Sequence, residues 1–374
     1  AVLRRGSKNM PTSAKISQEM EEMYGAGFDC GIDKTGDNQV LKFYIEAIND
    51  NFIPQDSEKI LKKSIDSLLE IVFNPLIEND GFKEEYMKQE KENIKRIIEG
   101  KTDNKARYAY DRCIEEMYKN KPYGLYKYGY VEDLNLITRK DLYEYYKKMI
   151  AECKIDIFIS GDIENITDIV KENENIKGLQ ERDAKYVINT IEEKQNTEER
   201  EIKEGMDVVQ GKIVIGLNVH LEDKKQKYDT IVYNAILGGT ANSKMFQNVR
   251  EKAHLAYVAS SSYLRHKNII FVNCGIEISN YQKALDLIKQ QIEDMKQGNF
   301  TEEDIANAKK GILATIKTID DEQDTQISYY FGQELTNTRV STEEYIKKIE
   351  KIQKEDVINI ARKVSINTIY FLKD

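Results

Sequence analysis

An arginine and a tyrosine seven positions apart are the residues of this 374-residue chain whose types and spacing best fit a ligand-binding role. Arg250 and Tyr257 lie in the stretch 235–257, which reads AILGGTANSKMFQNVREKAHLAY. The stretch breaks at a Gly-Gly pair, and Ser243 is the best candidate to cap the helix that follows. This pattern places the arginine at a helix end and the tyrosine at a strand start. Both are rigid positions from which to direct a cation and a phenol at a ligand.

The spacing of apolar residues predicts one buried face on that helix, with Arg250 on the opposite side. The predicted face is formed by Met245, Phe246, Val249 and Ala253. An alternative stays open, in which Arg250 only caps its helix and Tyr257 fills an edge of the core. An Arg-Glu-Lys run on a helix usually forms a solvated face, which favours that alternative.

The same stretch resembles the C-terminal signature of the pitrilysin/insulinase family of inverted zinc peptidases, approximately L-G-G-G-x-S-S-R-L-F-x-x-[LV]-R-E-x-x-G-L-A-Y. The corresponding residues are Leu237, Gly238, Gly239, Ser243, Lys244, Phe246, Arg250, Glu251, Leu255, Ala256 and Tyr257. The chain departs from the signature at Thr240, at Lys244 (usually Arg) and at His254 (usually Gly). The resemblance implies that Arg250 and Tyr257 contact the backbone of a peptide substrate next to a zinc ion.

Composition and charge exclude several other classes of protein. Hydrophobic residues make up 40% and charged residues 32% of the chain, which is typical of a soluble globular protein. The net charge of -9, with acidic and basic residues interleaved, provides no basic stripe for nucleic acid. No apolar run approaches the ~20 residues that span a bilayer. Four scattered cysteines and no visible signal peptide favour reduced thiols, mostly buried, in a cytoplasmic protein.

The order of elements in the first half of the chain recurs in the second half. Residues 137–162 and 352–374 each predict a capped helix that leads into an apolar strand. In the first of these segments the predicted strand spans residues 154–160, KIDIFIS. The repetition predicts an internal duplication.

We therefore predict an α+β fold of two homologous tandem domains. The resemblance implies that each is a mainly antiparallel sheet covered by a helical layer. The domains would span residues 1–180 and 208–374, joined by a charged linker at 181–207. The second domain has a predicted strand and helix before its Gly-Gly pair, whereas the first begins in the last turn of the equivalent helix. We expect that the first strand and most of the first helix of the N-terminal domain are missing upstream.

The resemblance makes zinc binding the central question. Active members of the family bind zinc through H-x-x-E-H on the first helix, with a further Glu on a later helix. Alignment with the family places Ala1 at the second His, and an alanine cannot coordinate a metal. The best alignment places Arg96 and Ile97 where active members have two Glu, although Glu92 and Glu99 lie one turn away.

The three histidines of the chain, His220, His254 and His266, do not occur in H-x-x-E-H order. We expect His220 and His254 to be solvent-exposed or sheet-edge residues. No P-loop, G-x-G-x-x-G or G-x-S-x-G motif offers another chemistry. We therefore expect no metal ligand and no cofactor in this chain, and zinc in a partner subunit.

The resemblance implies a non-catalytic, peptide-binding subunit of a two-subunit zinc peptidase. Its partners would be an extended peptide substrate and a homologous H-x-x-E-H subunit, or a second copy of itself in a dimer. One alternative is a zinc-dependent metallopeptidase whose metal motif lies upstream of residue 1. Another is a structural scaffold subunit, similar to the inactive core subunits of respiratory complexes. We expect neither a nucleic-acid nor a membrane partner.

Overall fold

The computed structural model describes residues 1–55, 59–163, 166–186 and 198–374. These residues form two compact units, and each combines helices with strands, which confirms the α+β class. The first unit consists of residues 1–100 and 127–186, and the second of 101–126 and the described part of 187–374. None of the described helices is both long and apolar enough to span a bilayer.

The α-helices are α1 (Ser13–Glu22), α2 (Ile60–Phe73), α3 (Glu84–Glu99), α4 (Lys105–Met117), α5 (Val131–Leu136), α6 (Arg139–Glu152), α7 (Ile166–Glu172), α8 (Glu174–Lys177), α9 (Gln226–Asn234), α10 (Tyr281–Gln297), α11 (Glu302–Lys317), α12 (Gln323–Thr336), α13 (Thr342–Glu350) and α14 (Lys354–Arg362). The strands are β1 (Gly27–Thr35), β2 (Asn38–Glu46), β3 (Ile77–Glu78), β4 (Gly81–Phe82), β5 (Arg200–Gly205), β6 (Gly211–Val219), β7 (Ala256–Leu264), β8 (Ile269–Ile276) and β9 (Val364–Lys373). Two π-helical segments, Ala235–Gly239 and Met245–Lys252, lie between α9 and β7.

The first unit packs helices against a two-stranded ribbon. β1 and β2 form an antiparallel hairpin whose register runs from Gly27 opposite Glu46 to Thr35 opposite Asn38. Gly36 has a φ of 58° in the tight turn between them, a conformation that glycine adopts without a steric penalty. Met23 and Ile71 are fully buried in the core that α1 and α2 form beside this hairpin.

The strand that we predicted at residues 154–160 is wrong. No described strand pairs with this segment, and Ile155, Ile157 and Ile159 each remain more than one-third exposed. Alternating isoleucines raise strand propensity, but a strand forms only where a neighbouring strand accepts its hydrogen bonds. In contrast, the preceding helix α6 begins at the predicted cap, where Thr138 and Asp141 form a capping box.

The second unit is built on a five-stranded sheet with the order β5-β9-β6-β8-β7. β5 runs parallel to β9, and all other neighbours are antiparallel, as expected for a mainly antiparallel sheet. At the central strand β6 both faces of the sheet are covered, so residues at successive positions along β6 are buried. Ile213 and Ile215 face a core that includes α9, α10 and α14, and Val214 faces the opposite core.

Helix α4 supplies the cover on that opposite face. Its buried residues Ala109 and Cys113 pack in one cluster with Phe271 of β8 and Tyr370 of β9. The helix therefore belongs to the same compact unit as the C-terminal sheet, although it lies within the predicted domain 1–180. The exact boundaries of two homologous domains remain a prediction.

Part of the predicted linker 181–207 also differs from expectation. Arg200–Gly205 forms the edge strand β5, and Glu204 in it accepts hydrogen bonds from Tyr108 Oη (2.5 Å) and Arg112 Nε (2.9 Å). The charged composition of residues 181–207 predicted a solvated linker. The sequence alone does not show that residues of α4 form hydrogen bonds with one of those charged side chains. The linker residues 187–197 lie outside the described part of the chain.

Candidate functional site

The Gly-Gly pair lies in the first π-helical segment, which continues directly from α9. A Cβ atom on Gly238 would lie 2.5 Å from the backbone nitrogen of Ser261 in β7, far inside van der Waals contact. Ser261 also donates a hydrogen bond from its hydroxyl to Asn234 Oδ1 (2.8 Å). The first glycine of the motif is therefore required by the close approach of this segment to β7.

The second π-helical segment, Met245–Lys252, carries Arg250. Met245 and Val249 are fully buried and anchor the segment in the core. Asn248 donates a side-chain hydrogen bond to Gln291 of α10 (2.5 Å), which holds the segment from a second direction. Short π-helical stretches are often found at functional sites, because the wider turn redirects side chains.

Ser243 acts as the predicted cap, since its hydroxyl oxygen accepts a hydrogen bond from the backbone nitrogen of Phe246 (3.4 Å). The predicted placement of Phe246 and Arg250 on opposite sides of the helix is wrong. The Arg250 guanidinium lies over the Phe246 ring, with Cζ 4.6 Å from the ring centroid. Residues four apart are near neighbours on a helix and remain so in the wider π-helical turn, so the two side chains meet.

Arg250 is exposed, with 44% of its side chain accessible, and its Nε lies 3.5 Å from a carboxylate oxygen of Glu251. The guanidinium thus has an aromatic ring on one side and solvent on the other. A guanidinium carries five N–H donors in its plane, and a ring beneath that plane does not occupy them. This arrangement can donate hydrogen bonds to the carbonyl oxygens or carboxylates of a ligand.

A tight turn at His254 connects Arg250 to the strand that follows. The backbone nitrogen of Leu255 donates to the carbonyl oxygen of Val249 (3.1 Å), which closes the end of the helix. His254 has a φ of 52°, a left-handed conformation that non-glycine residues rarely adopt. The family signature has Gly at this position, and the geometry gives the physical reason.

Tyr257 is the second residue of β7, where the strand is irregular. Ala256 pairs with Ile276 and Val258 with Gly275, so Tyr257 is an extra residue in the register, as in a β-bulge. In consequence Tyr257 and Val258 are both 56% exposed instead of alternating between the two faces. β7 is also an edge strand of the described sheet. The bulge therefore presents a phenol to solvent at the sheet edge.

The positions that correspond to zinc ligands of the family do not fit a metal ion. Ala1 offers a methyl group, Arg96 is largely exposed and lies 3.9 Å from Glu92, and Ile97 is exposed. Glu90, a buried carboxylate on α3, forms an ion pair with Arg5. Within the described parts of the chain, no three His, Cys, Asp or Glu side chains cluster in a way that could hold a metal ion.

The three histidines lie apart from one another and in different settings. His220 follows β6, and its ring lies 3.3 Å from the Ser365 hydroxyl. His266 lies in the turn between β7 and β8, where burial and then the positive charges of Lys227 and Arg265 lower its pKa. His254 occupies the turn described above. Of the three, His266 is half-buried.

The four cysteines are free, as predicted. Cys113 and Cys274 are buried, Cys30 is half-buried and Cys153 is exposed, so only half of them are the buried thiols that we expected. None of them adjoins the Arg250–Tyr257 turn in the sequence.

Comparison with known proteins identifies the family of the chain. Residues 136–312 match the family model described as "Peptidase M16 inactive domain". A relative from Bacillus subtilis (strain 168), described as "Probable inactive metalloprotease YmfF", is 34% identical over 380 residues, which cover 100% of this chain and 87% of the relative. The chain belongs to the peptidase M16 family. The resemblance to the pitrilysin/insulinase zinc peptidases is thereby confirmed.

Two solved structures share the fold of this chain. A conserved protein from Enterococcus faecalis V583 has a TM-score of 0.85 and 29% sequence identity, and the match covers 100% of this chain and 87% of that one. The peptidase M16 inactive domain from Pseudomonas fluorescens has a TM-score of 0.77 at 15% identity, covering 100% and 86% of the two chains, which shows similarity of fold alone.

The family model and the Bacillus subtilis relative are both described as inactive. Of the positions that align with metal ligands of the family, Ala1, Arg96 and Ile97 offer no suitable donor. The chain is thus similar to members of the M16 family that are described as inactive.

Proposed function

We propose that this chain is a peptide-binding subunit of a two-subunit zinc peptidase of the M16 family. It would supply Arg250 and Tyr257 to a substrate held at the zinc ion of a homologous H-x-x-E-H subunit. The observation that carries the proposal is a contrast within one chain. The arginine and tyrosine are exposed on a rigidly anchored turn, whereas the metal-ligand positions hold Ala1, Arg96 and Ile97.

The chemistry of the two side chains supports this role. An extended peptide presents carbonyl oxygens at regular intervals, and the guanidinium of Arg250 and the hydroxyl of Tyr257 are donors that suit them. Hydrogen bonds that strengthen as the scissile carbonyl gains negative charge lower the barrier to hydrolysis at a zinc ion. The edge strand β7 adds main-chain groups with which an extended peptide can pair.

The test is a reconstitution with the H-x-x-E-H homologue from the same organism and a quenched-fluorescent decapeptide as substrate. The chain alone should neither hydrolyse the peptide nor contain stoichiometric zinc by metal analysis. In the mixed complex, Arg250→Ala and Tyr257→Phe should each lower kcat by tenfold or more, because they remove donors to the scissile carbonyl. Lys252→Ala removes a neighbouring cation from the same π-helical segment and should leave kcat within twofold.

Two outcomes would overturn the proposal. Hydrolysis by this polypeptide alone, abolished by a chelator, would show that the chain is itself a metallopeptidase. A complex whose turnover is unchanged by Arg250→Ala and Tyr257→Phe would identify the chain as a scaffold, because a scaffold needs neither side chain. Size-exclusion chromatography of each variant with its partner separates a loss of turnover from a loss of assembly.

A further inference from the structure

Two neighbours compete to orient the Arg250 guanidinium. Phe246 places its ring 4.6 Å from Cζ, and Glu251 places a carboxylate oxygen 3.5 Å from Nε. Glu251 is half-exposed, and ion pairs in water between long side chains are weak and screened by salt. Phe246 is half-buried and short, so its ring keeps one position while the arginine moves.

The backbone around Phe246 is fixed more firmly than that of an ordinary surface helix. Its neighbours Met245 and Val249 are fully buried, and Asn248 is tied to Gln291 of α10. Its own backbone nitrogen donates to the Ser243 hydroxyl. A ring on such a backbone is a fixed platform, and a guanidinium over it keeps its in-plane N–H donors available.

We infer that Phe246 is the positioning residue of this site, and that it holds the Arg250 guanidinium in the orientation that receives a peptide carbonyl. The inference rests on the proposed function of Arg250. Glu251 has no such role, since a carboxylate that pairs with the guanidinium competes with the peptide for its donors. Loss of the Phe246 ring should therefore weaken peptide binding through Arg250, and loss of Glu251 should not.

The test measures peptide affinity of the full chain by fluorescence anisotropy. The probe is the tightest-binding decapeptide from a randomised, fluorescein-labelled pool. Phe246→Leu should weaken binding about fivefold and Phe246→Tyr should keep it within twofold of the unaltered chain, whereas Glu251→Gln, which removes a competitor for the guanidinium, should not weaken it. In the Arg250→Ala background, Phe246→Leu should have no further effect, because a residue that acts through Arg250 has nothing left to position.

A spectroscopic measurement tests the geometry independently of the peptide. The side-chain Nε–H resonance of Arg250 should be displaced by the ring current of Phe246, and Phe246→Leu should abolish that displacement. If Phe246→Leu does not fold, as judged by its thermal melting curve, Phe246→Met replaces it at similar volume.

The outcomes distinguish the inference from the proposal on which it rests. If Arg250→Ala weakens binding and Phe246→Leu does not, the positioning role is wrong and the proposed function stands. If Phe246→Leu weakens binding equally with and without Arg250, the ring contacts the peptide directly, and the inference is again wrong. If Arg250→Ala has no effect on binding, the proposed function itself fails.

Discussion

His254 combines an unusual backbone conformation with a position next to the proposed binding residues. Its φ of 52° costs a non-glycine residue about 1–2 kcal/mol, and glycine avoids most of that cost. Gly also has more freedom to lose on folding, so we expect His254→Gly to raise the free energy of unfolding by only about 0.5–1 kcal/mol. Urea denaturation measures this gain directly.

The matched control is Lys252→Gly, two residues earlier in the π-helical segment. Its backbone is helical, so the same replacement should lower stability by roughly 0.5–1 kcal/mol. Equal effects of the two variants, or a loss at His254, would mean that the left-handed conformation is not a source of strain.

Asp229 on α9 should make the stability of the second unit depend on pH. Burial, and then the negative charges of Asp356 and Asp223, raise the pKa of this carboxyl to about 6, against the smaller opposing effect of Lys363. Because the folded state binds the proton more tightly than the unfolded state, this group favours folding below about pH 4. That contribution is lost as the pH rises through about 6.

Asp229→Asn should therefore stabilise the protein at pH 7, by an amount on the order of 1 kcal/mol after allowance for partial exposure, and have little effect at pH 4. Unfolding free energies measured between pH 4 and pH 7.5 test this. Asp286→Asn removes a carboxylate from α10 and controls for the change in net charge. A gain for Asp229→Asn that is the same at both ends of the range would contradict the prediction.

The sequence was sufficient to locate Arg250 and Tyr257, because their placement follows from a helix end and a strand start. It did not reveal the stacking of Phe246 under Arg250 or the left-handed φ of His254. Both depend on backbone dihedrals within one turn, and a pattern based on 3.6 residues per turn averages over them. The one sequence signal for the left-handed backbone was His254 itself, which stands where the family signature usually has glycine.

At the scale of elements, Gly238 controls how closely the first π-helical segment approaches β7. Gly238→Ala would bring Cβ within 2.6 Å of the Ser261 hydroxyl oxygen, and the segment or the strand must shift. We expect a loss of about 1–3 kcal/mol, as in other overpacked sites, together with weaker peptide binding because Tyr257 lies on the displaced strand.

The control for this variant is Gly332→Ala in α12, where nothing lies within 4 Å of an added Cβ. There the same replacement should stabilise by roughly 0.5–1 kcal/mol, because alanine favours the helical backbone. Thermal melting compares the two variants. Similar losses at both sites would show that the approach to Ser261 is not the cause.

The existence of most elements could be predicted from local patterns, whereas their pairing could not. Helix α6 and strand β9 lie where capping residues and apolar runs predict them. Residues 154–160 carry an equally regular alternation, yet no described strand pairs with them. A local pattern measures only the propensity of a segment, and strand formation depends on a neighbour that is distant in the sequence.

At the scale of the whole molecule, the packing partner of α4 could not be predicted from its local sequence. Its sequence shows that one face is apolar, but not which sheet that face covers. The structure places it on the C-terminal sheet, where Arg112 and Tyr108 bind Glu204 of β5. The hydrogen bonds from these two residues lower the pKa of the Glu204 carboxyl, against the opposing and larger single effect of burial. The apolar face and the polar contacts together make α4 part of the second unit.

Because α4 packs on the C-terminal sheet, a destabilising change in α4 should affect that sheet and not the first unit. Ala109 is fully buried between α4 and the sheet, so Ala109→Asp places an unpaired charge there and should lower stability by roughly 3–5 kcal/mol. Ala106 is exposed on the same helix, and Ala106→Asp should be nearly neutral. Hydrogen exchange measured by mass spectrometry should show lost protection in β6 and β9, and little change in α1 and α2. If α4 instead belonged to the N-terminal domain, as a division at residue 180 implies, the lost protection would appear in α1 and α2.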